Sequence, residues 1–412
     1  MRILWFSVTP SLFNPHSNGH NGGGWIASLE QIVRRNKEIE LGVAFHFQDS
    51  GFKYKNEGVT YYPIPAERKS LIERIFNKGN PNRIITRYQN IIKDFKPDLI
   101  HIFGSENDFG LLCKYTDVPI VIHMQGCMPP CHNALMPVGM ERSDFIFKKG
   151  LSLSYRFIGL RSERAFFKRA EREIEIIQSC KYFMGRTQWD KSLIDLFNPG
   201  ATYFHCEEAL RDSFITSEKR WKYSDEKKKT IISVISRPWY KGCDLILKTA
   251  ALLKRFTDID FEWKVYGIPE MKFYESVYGI KAENVNVHPM GTASKEELVE
   301  ALCSASCYIH PSYIDNSPNS ICEAQILGVP VMATNVGGIS SIINNGVDGI
   351  LFPANAPYTA ASLIKGVTGN RELSERLSRN AVTKATERHN PDDIGKRIVE
   401  IYYSIIQENR KR

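Results

Sequence analysis

Two segments in the second half of the chain carry side chains that could handle a charged leaving group. In the first, SVISRPWYKGCDLIL, an apolar strand ends at Arg237, and a helix begins near Lys241 and Gly242. Two cations at the carboxyl end of a strand, beside the free N–H groups of a helix start, can neutralise a departing diphosphate. Arg and Lys are also common at exposed helix starts, so a solvated basic turn is the alternative for this segment alone.

The second segment, CYIHPSYIDNSPNSICEAQILGVPV, runs from residue 307 to residue 331. Its strand leads into a loop that holds Asp315, and Ser317 with Pro318 is typical of the cap and first turn of a helix. That helix ends at Gly328 and contains Glu323. Its amino terminus would suit a phosphate or a polarised sugar hydroxyl. The alternative is an ordinary capped helix whose Glu faces solvent.

Together the two segments resemble the retaining GT-B glycosyltransferases of family four. That family has an Arg and a Lys before a Gly, then a carboxylate, seven residues and a Glu ahead of Ala and a G-x-P-V strand. The resemblance continues through NVGGISSII and GVDGILF to about residue 354, and GRTQWD and FHCEEALRDSF are similar to a bacterial subset of the family. The matching positions here are Arg237, Lys241, Gly242, Asp315, Glu323, Ala324 and GVPV at 328–331.

The resemblance implies a role for each of these positions. Arg237 and Lys241 would hold the diphosphate, and Glu323 would bond the ribose hydroxyls. Asp315, which stands where the family usually has Glu, would contact the donor sugar. The other donor-binding positions that the resemblance implies are the loop Asn316, Ser317, Pro318, Asn319 and Ser320, whose backbone would face sugar and phosphate, and Met290 with Gly291, beside the base.

The first half of the chain offers candidates for the acceptor side. Gly23 and Gly24 belong to three consecutive glycines after the first strand, which allow close backbone approach to the donor phosphates. The family often has a His at the end of the fourth strand, where this chain aligns Gln125; His123, two residues earlier, would point to the same face. The glycine loop with Asp49 also raises a nicotinamide-dependent oxidoreductase as an alternative, although GGGW is not G-x-G-x-x-G.

Length and patterning predict the architecture around these residues. A chain of 412 residues is expected to form two domains. Short apolar runs alternate with amphipathic stretches in both halves, which is typical of parallel sheets covered by helices. We therefore predict an α/β protein with two doubly wound Rossmann-like domains facing across a cleft, and the resemblance implies that it is of the GT-B class. The predicted limits are 1–215, 216–390 and a C-terminal helix at 391–412 that packs on the first domain.

Composition limits the partners and the compartment. The net charge of +8 is mild, and we predict no nucleic-acid partner. The stretch from Lys148 to Arg172 has eight basic and two acidic residues; it could contact a lipid-linked acceptor or a membrane surface, or it could be a solvated helix face. Nine scattered cysteines favour reduced thiols in a cytoplasm, and Cys127, Cys131 and His132 lack the further ligands expected of a metal site.

The sequence thus predicts a retaining transferase that moves a sugar from a nucleoside-diphosphate sugar to a hydroxyl acceptor. The expected setting is bacterial polysaccharide or glycolipid assembly, in the cytoplasm or at the inner face of the plasma membrane. No cofactor or metal is expected, because the cationic pair can replace a metal. A nucleotide-sugar-binding protein without transfer activity and a GT-B epimerase remain open alternatives.

Overall fold

The computed structural model describes residues 1–13, 24–47, 52–65, 81–141, 143–144, 153–236 and 239–411, without the side chains of residues 81–82 and 153–162. Gly23, Asp49 and Arg237 therefore lie outside the described residues. The chain divides into two compact units. The first comprises Met1–Pro129, Ala165–Arg211 and His389–Arg412, and the second comprises Pro130–Arg164 and Asp212–Arg388.

The first unit is built on an eight-stranded sheet in the order β3-β4-β2-β1-β5-β6-β7-β8. Neighbouring strands are parallel, except that β3 pairs antiparallel with β4. Parallel strands covered on both faces need near-continuous apolar sequence, as in RILWFS and LIHIF. The strands are β1 (Arg2–Ser7), β2 (Glu40–Phe47), β3 (Tyr54–Asn56), β4 (Val59–Pro65), β5 (Leu99–Phe103), β6 (Ile120–His123), β7 (Tyr182–Gly185) and β8 (Thr202–His205).

The second unit is built on a six-stranded, all-parallel sheet in the order β11-β10-β9-β12-β13-β14. The chain order reverses at β9, which pairs with both β10 and β12. Ligands of doubly wound sheets bind outside the carboxyl ends of the strands at such a switch point. The strands are β9 (Lys229–Val234), β10 (Phe261–Tyr266), β11 (Val287–Gly291), β12 (Cys307–His310), β13 (Val331–Thr334) and β14 (Ile350–Phe352).

Helices connect the strands in both units. Strand β9 ends at Val234, earlier than the predicted Arg237, and a 3-10 turn at Trp239–Lys241 precedes the next helix. The α-helices, in chain order, are α1 (Gly24–Val33), α2 (Pro81–Phe95), α3 (Met128–Asn133), α4 (Leu153–Ser179), α5 (Gln188–Phe197), α6 (Asp212–Ile215), α7 (Cys243–Phe256), α8 (Lys272–Tyr278), α9 (Lys295–Ser304), α10 (Asn319–Leu327), α11 (Ile339–Ile342), α12 (Pro357–Thr368), α13 (Arg371–Arg388) and α14 (Pro391–Arg410).

The C-terminal helix α14 belongs to the first unit. Its apolar face, from Ile394 to Ile405, joins the core cluster that also contains Trp5 and Leu29. The Trp5 indole donates a hydrogen bond of 3.0 Å to the hydroxyl of Tyr402, although 397 positions separate the two residues. The first unit is thus completed by the last segment of the chain.

Residues 130–164 group with the second unit, whereas the sequence analysis placed them in the first domain. Met136 and Met140 pack against the apolar cluster formed around β9, β10 and α7. The Lys248 ammonium also donates to the carbonyl oxygen of Val138 at 3.3 Å. These contacts are made by irregular backbone, which carries no hydrophobic period that a sequence pattern could have revealed.

Two cysteines of the first unit are joined by a disulfide bond. Cys113 and Cys180 form a disulfide with their Cα atoms 5.6 Å apart, so the expectation of reduced thiols is wrong for this pair. Their 67-residue separation hides the pairing from sequence spacing.

Within the described ranges, every helix is too short or too polar to cross a lipid bilayer.

Candidate active site

An ion pair joins the loops that follow the two strands at the switch point of the second unit. Lys241 follows β9, Asp315 follows β12, and the Lys241 Nζ lies 2.6 Å from the Asp315 Oδ2. Both side chains are largely removed from water, with 17% and 14% of their surface exposed. The structure therefore brings together two predicted site residues that are 74 positions apart in sequence.

The Asp315 carboxylate has further partners. The His310 Nε2 lies 2.9 Å from the same Oδ2, and the Ser312 Oγ lies 3.4 Å from it. The other oxygen, Oδ1, accepts a hydrogen bond of 3.1 Å from the backbone N–H of Asn316. Both carboxylate oxygens are thus held, and the side chain has one well-defined orientation.

The charges of this cluster follow from its surroundings. Burial would raise the pKa of Asp315, but the Lys241 ammonium and the His310 hydrogen bond outweigh it and bring the pKa well below its usual value. Burial lowers the pKa of His310, and the neighbouring carboxylate opposes that shift only in part. At neutral pH the imidazole is therefore neutral, and its Nε2–H is the donor that the contact with Asp315 requires.

Close backbone contacts keep the two loops together. Gly242 has φ +80°, and a Cβ there would lie 2.1 Å from the carbonyl oxygen of Pro311. Gly337 has φ +54°, and a Cβ there would lie 1.9 Å from the carbonyl oxygen of Asp315. The N–H of Tyr313 also donates to the Tyr240 carbonyl at 2.7 Å. Glycine is required at positions 242 and 337 both by the backbone angle and by the space.

We predict that Gly242→Ala lowers the free energy of unfolding by more than the ~1–3 kcal/mol typical of backbone strain alone, because the methyl group also meets Pro311. Gly346→Ala is the matched control, since Gly346 has φ +76° and open space around its Cα. Urea denaturation of both variants measures the difference. Equal losses would show that the close approach to Pro311 contributes nothing.

The helix after this loop departs in one respect from the sequence analysis. Helix α10 begins at Asn319 with Pro318 at the cap position and no side-chain cap, so the expectation that Ser317 caps it is wrong. Ser317 is instead buried in the preceding loop, beside the buried Asn316. Glu323 is only 5% exposed, which excludes the solvent-facing alternative. Ser320, at the start of α10, accepts a hydrogen bond of 2.8 Å from the hydroxyl of Tyr308.

Met290 and Gly291 lie at the end of the edge strand β11. Gly291 has φ +71°, and its carbonyl accepts a hydrogen bond of 2.7 Å from the N–H of Gly267 after β10. Met290 is 44% exposed and lines a groove of about 450 Å³. Lys264, Tyr266, Thr292 and Glu297 also line that groove. These two residues thus lie at the carboxyl edge of the sheet, and their place beside the base stays a prediction.

In the first unit, the two candidates for the acceptor side have different environments. His123 is fully buried at the end of β6, and neither ring nitrogen has a hydrogen-bond partner among the described residues. Its ring packs edge-on against Trp25 and stacks on His101. Burial, reinforced by Arg186, lowers the pKa of His123 to about 3. Gln125 is partly exposed in the following loop, and Gly24 begins α1 with its Cα against the Arg211 side chain.

Two carboxylates that the sequence analysis did not single out lie near the ends of β5 and β6. The Glu106 carboxylate lies over Gly104 and Gly126, where a Cβ would come within 2.2 and 3.1 Å of its oxygens. Glu173 of α4 is buried and accepts hydrogen bonds from the Ser105 hydroxyl and from the N–H of Met128. Burial and the nearby Glu106 raise the pKa of Glu173 to about 8.

This raised pKa predicts a pH-dependent stability. A carboxyl whose pKa is higher in the folded state stabilises the fold below about pH 4.5, and the stabilisation is lost as the pH rises through about 8. We expect the difference in the free energy of unfolding between the parent and Glu173→Gln to decrease as the pH rises from about 4.5 to about 8. Urea denaturation at pH 5, 7 and 9 measures it. Parallel curves for parent and variant would contradict the raised pKa.

Other residues around Lys241 and Asp315 were also missed by sequence reasoning. His310 and Ser312 were included only as part of a strand, yet they bind Asp315. The Tyr313 hydroxyl donates to Asp244 of α7 at 2.7 Å, and this bond helps to hold the loop after β12. The available signal was the run His-Pro-Ser-Tyr, which begins with a polar residue at the last position of a buried strand.

Known proteins resemble this chain in sequence and in fold. Residues 215–384 match the family described as glycosyl transferases group 1. An uncharacterized glycosyltransferase of Methanocaldococcus jannaschii is 28% identical over 392 residues, which cover 92% of each chain. Sucrose-phosphate synthase from Thermosynechococcus elongatus superimposes with a TM-score of 0.74 at 13% identity over 99% of each chain. HepE of Anabaena, in complex with UDP-glucose, gives a TM-score of 0.64 at 13% identity over 98% of this chain and 100% of its own.

The two structural likenesses, at these low identities, establish the fold, which is the two-domain α/β fold of the GT-B class. The family match covers the part of the second unit that contains Lys241, Asp315 and Glu323, and the archaeal relative extends over nearly the whole chain. Over residues 215–384 the chain matches the group 1 glycosyltransferases, and its sequence relatives are glycosyltransferases. The predicted fold class and the predicted enzyme class are therefore confirmed.

Proposed function

We propose that the protein transfers a sugar from a nucleoside-diphosphate sugar to a hydroxyl acceptor with retention of the anomeric configuration. The observation that carries the proposal is the Lys241–Asp315 pair at the switch point of the second sheet. Lys241 lies directly before α7, whose first N–H groups carry partial positive charge. Together they provide a preorganised site for the charge that develops on a leaving diphosphate.

In the proposed reaction, the bond between the anomeric carbon and the diphosphate oxygen breaks, and the acceptor oxygen forms the new bond on the same face. The acceptor's proton passes to the leaving phosphate, so no protein nucleophile is needed. Lys241 stabilises the charge on the diphosphate. We assign Glu323 to the ribose hydroxyls, Asp315 to the sugar side, and the backbone from Asn316 to Ser320 to the sugar and phosphate.

The proposal is tested by measuring nucleoside diphosphate released from a panel of nucleotide sugars, with and without hydroxyl acceptors. If the protein is a retaining transferase, the release of nucleoside diphosphate depends on the acceptor. The product then has the donor's anomeric configuration. Binding of the donor with no release under any condition would identify a nucleotide-sugar-binding protein. A change in donor stereochemistry without a transferred product would identify an epimerase.

The base of the donor can be found by a thermal-shift screen with UDP, GDP and their sugars. A ligand at 100 times its dissociation constant stabilises the folded state by ~2.7 kcal/mol, so the preferred base should be distinguishable. We propose a uridine donor first, since HepE, which shares this fold, was solved with UDP-glucose. A higher unfolding temperature with GDP and an unchanged one with UDP would identify a guanosine donor instead.

We expect transfer to be unaffected by EDTA, because Lys241 and the start of α7 supply the positive charge that a metal ion supplies elsewhere. The chain has an Asp-x-Asp pair, Asp258 and Asp260, but it precedes β10 at the amino end of the strand, opposite to Lys241. Assays with EDTA and with added Mg²⁺ or Mn²⁺ measure the effect. Loss with chelator that a divalent ion restores would contradict the metal-free site.

For the acceptor, we propose a hydroxyl compound of surface-polysaccharide or glycolipid assembly, with a lipid-linked form reached at a membrane face. Arg164, Phe167 and Lys168 of α4 are exposed and lie on one side of that helix. A basic and aromatic face can associate with anionic headgroups. Co-sedimentation of the protein with vesicles of anionic and of neutral lipid tests this. If the protein sediments with neither, the proposal is restricted to soluble acceptors.

A further inference from the structure

The contacts of Asp315 differ from those expected of a residue that only touches a sugar. Its Oδ2 is the meeting point of the Lys241 ammonium, the His310 ring and the Ser312 hydroxyl. An ammonium has three N–H donors, so Lys241 can keep this contact and still donate to phosphate oxygens. The carboxylate thus fixes where the ammonium lies.

His310 is the residue best placed to hold that carboxylate. It is 2% exposed at the end of β12, and its Nε2 lies 2.9 Å from Asp315 and 3.0 Å from the Ser312 Oγ. Its Nδ1 faces the Tyr308 hydroxyl at 3.4 Å, and the two rings stack. The ring, buried at the end of a sheet strand and stacked on Tyr308, has little freedom to turn. A flexible loop carboxylate is therefore tied to a rigid strand.

We propose that His310 is a positioning residue of the donor site: its Nε2–H holds Asp315 against Lys241 and so fixes the ammonium that stabilises the leaving diphosphate. The inference rests on the proposed function. Positioning matters most in the transition state, because charge stabilisation there depends on geometry, whereas the attraction of an ammonium for a bound diphosphate tolerates displacement. His310 should therefore act on turnover more than on nucleotide affinity.

The test compares His310→Phe with His310→Gln. Phe keeps the ring and loses both nitrogens, whereas the amide nitrogen of Gln can take the place of Nε2. We expect His310→Phe to lower kcat by about tenfold or more, with the dissociation constant of the free nucleoside diphosphate within about threefold of the parent. His310→Gln should recover most of the lost kcat. Thermal unfolding of each variant shows whether the fold is retained.

A double-variant cycle supplies the second measurement. If His310 acts through Asp315, His310→Phe combined with Asp315→Asn should be no slower than Asp315→Asn alone. Asp348→Asn is the matched control, because Asp348 is also a buried Asp paired with a lysine, Lys384 at 3.0 Å, but it lies at the amino end of β14. It should leave kcat unchanged.

Three outcomes would overturn the inference: normal turnover in His310→Phe, multiplicative effects in the cycle, or a His310→Gln variant as slow as His310→Phe. Lys241→Ala, run in the same assays, separates this from failure of the proposed function. If Lys241→Ala is impaired and His310→Phe is not, only the positioning role fails. If Lys241→Ala transfers normally, the diphosphate site itself is wrong.

Discussion

Lys241→Ala is expected to lower turnover at saturating donor by ~10²–10³, the range seen when one preorganised electrostatic group is removed from an active site. The expectation rests on the position of the ammonium, which is largely buried, oriented by Asp315 and adjacent to the start of α7. Steady-state assays of nucleoside diphosphate release, at donor concentrations well above KM, measure the effect. Near-normal turnover would remove Lys241 from the diphosphate site.

The variant leaves Asp315 without its cation in a poorly solvated loop, which can destabilise the fold. Lys241→Ala combined with Asp315→Asn removes the charge imbalance, so it should regain stability while turnover stays low. Lys384→Ala is the matched control, because Lys384 pairs with Asp348 away from the carboxyl edge of the sheet. Its turnover should equal that of the parent, so any loss there would show that the assay reports folding.

Asp315→Glu, which restores the residue usual in the family, is expected to lower transfer by about tenfold or more, because a misplaced catalytic contact is costly even when the charge is kept. The structure gives the reason. The added methylene would move the carboxylate away from the positions set by Lys241, His310 and the N–H of Asn316. Affinity for the free nucleoside diphosphate should scarcely change.

This second prediction is measured by kcat for transfer alongside calorimetric titration of the nucleoside diphosphate. Asp348→Glu applies the same lengthening to a buried ion pair away from the site and should leave kcat unaltered. Transfer by Asp315→Glu at the parent's rate would mean that the shorter side chain has no influence on catalysis. A large loss of nucleotide affinity would move Asp315 from the sugar side to the diphosphate.

Most of the strands that the sequence predicted share one property; the exception is GILF, which forms the edge strand β14. Strands such as β1, β5 and β9 lie inside a sheet, and their apolar runs are bounded by turns. The edge strands β3 and β11 were not recognised. All three residues of β3 are exposed, and β11 alternates exposed residues with buried or partly buried ones around a proline. An edge strand is stabilised on one side only and needs no long apolar run, so its signal is weak.

The features of the site likewise divide into those that the sequence predicted and those that it did not. The motif spacing predicted Lys241, Asp315 and Glu323 as site residues, because each belongs to a short local pattern. The ion pair between Lys241 and Asp315 was not predictable, since it depends on β9 and β12 being neighbours although 74 positions separate the two residues. Nor did spacing reveal that Glu323 is buried or that His310 binds Asp315. Pairing across a sheet is a tertiary property that local sequence does not encode.

The hydrogen bond between Trp5 and Tyr402 has a consequence for synthesis of the chain on the ribosome. The core of the first unit includes α14, so Tyr402 is synthesised 397 residues after its partner Trp5 in strand β1. At 5–20 residues per second that delay is about 20–80 s. Meanwhile the second unit, whose segments all precede residue 389, can complete its core. The half of the protein that is made first is therefore the half that finishes folding last, and the faces of β1 and β5 that α14 covers lack this cover until the helix is made.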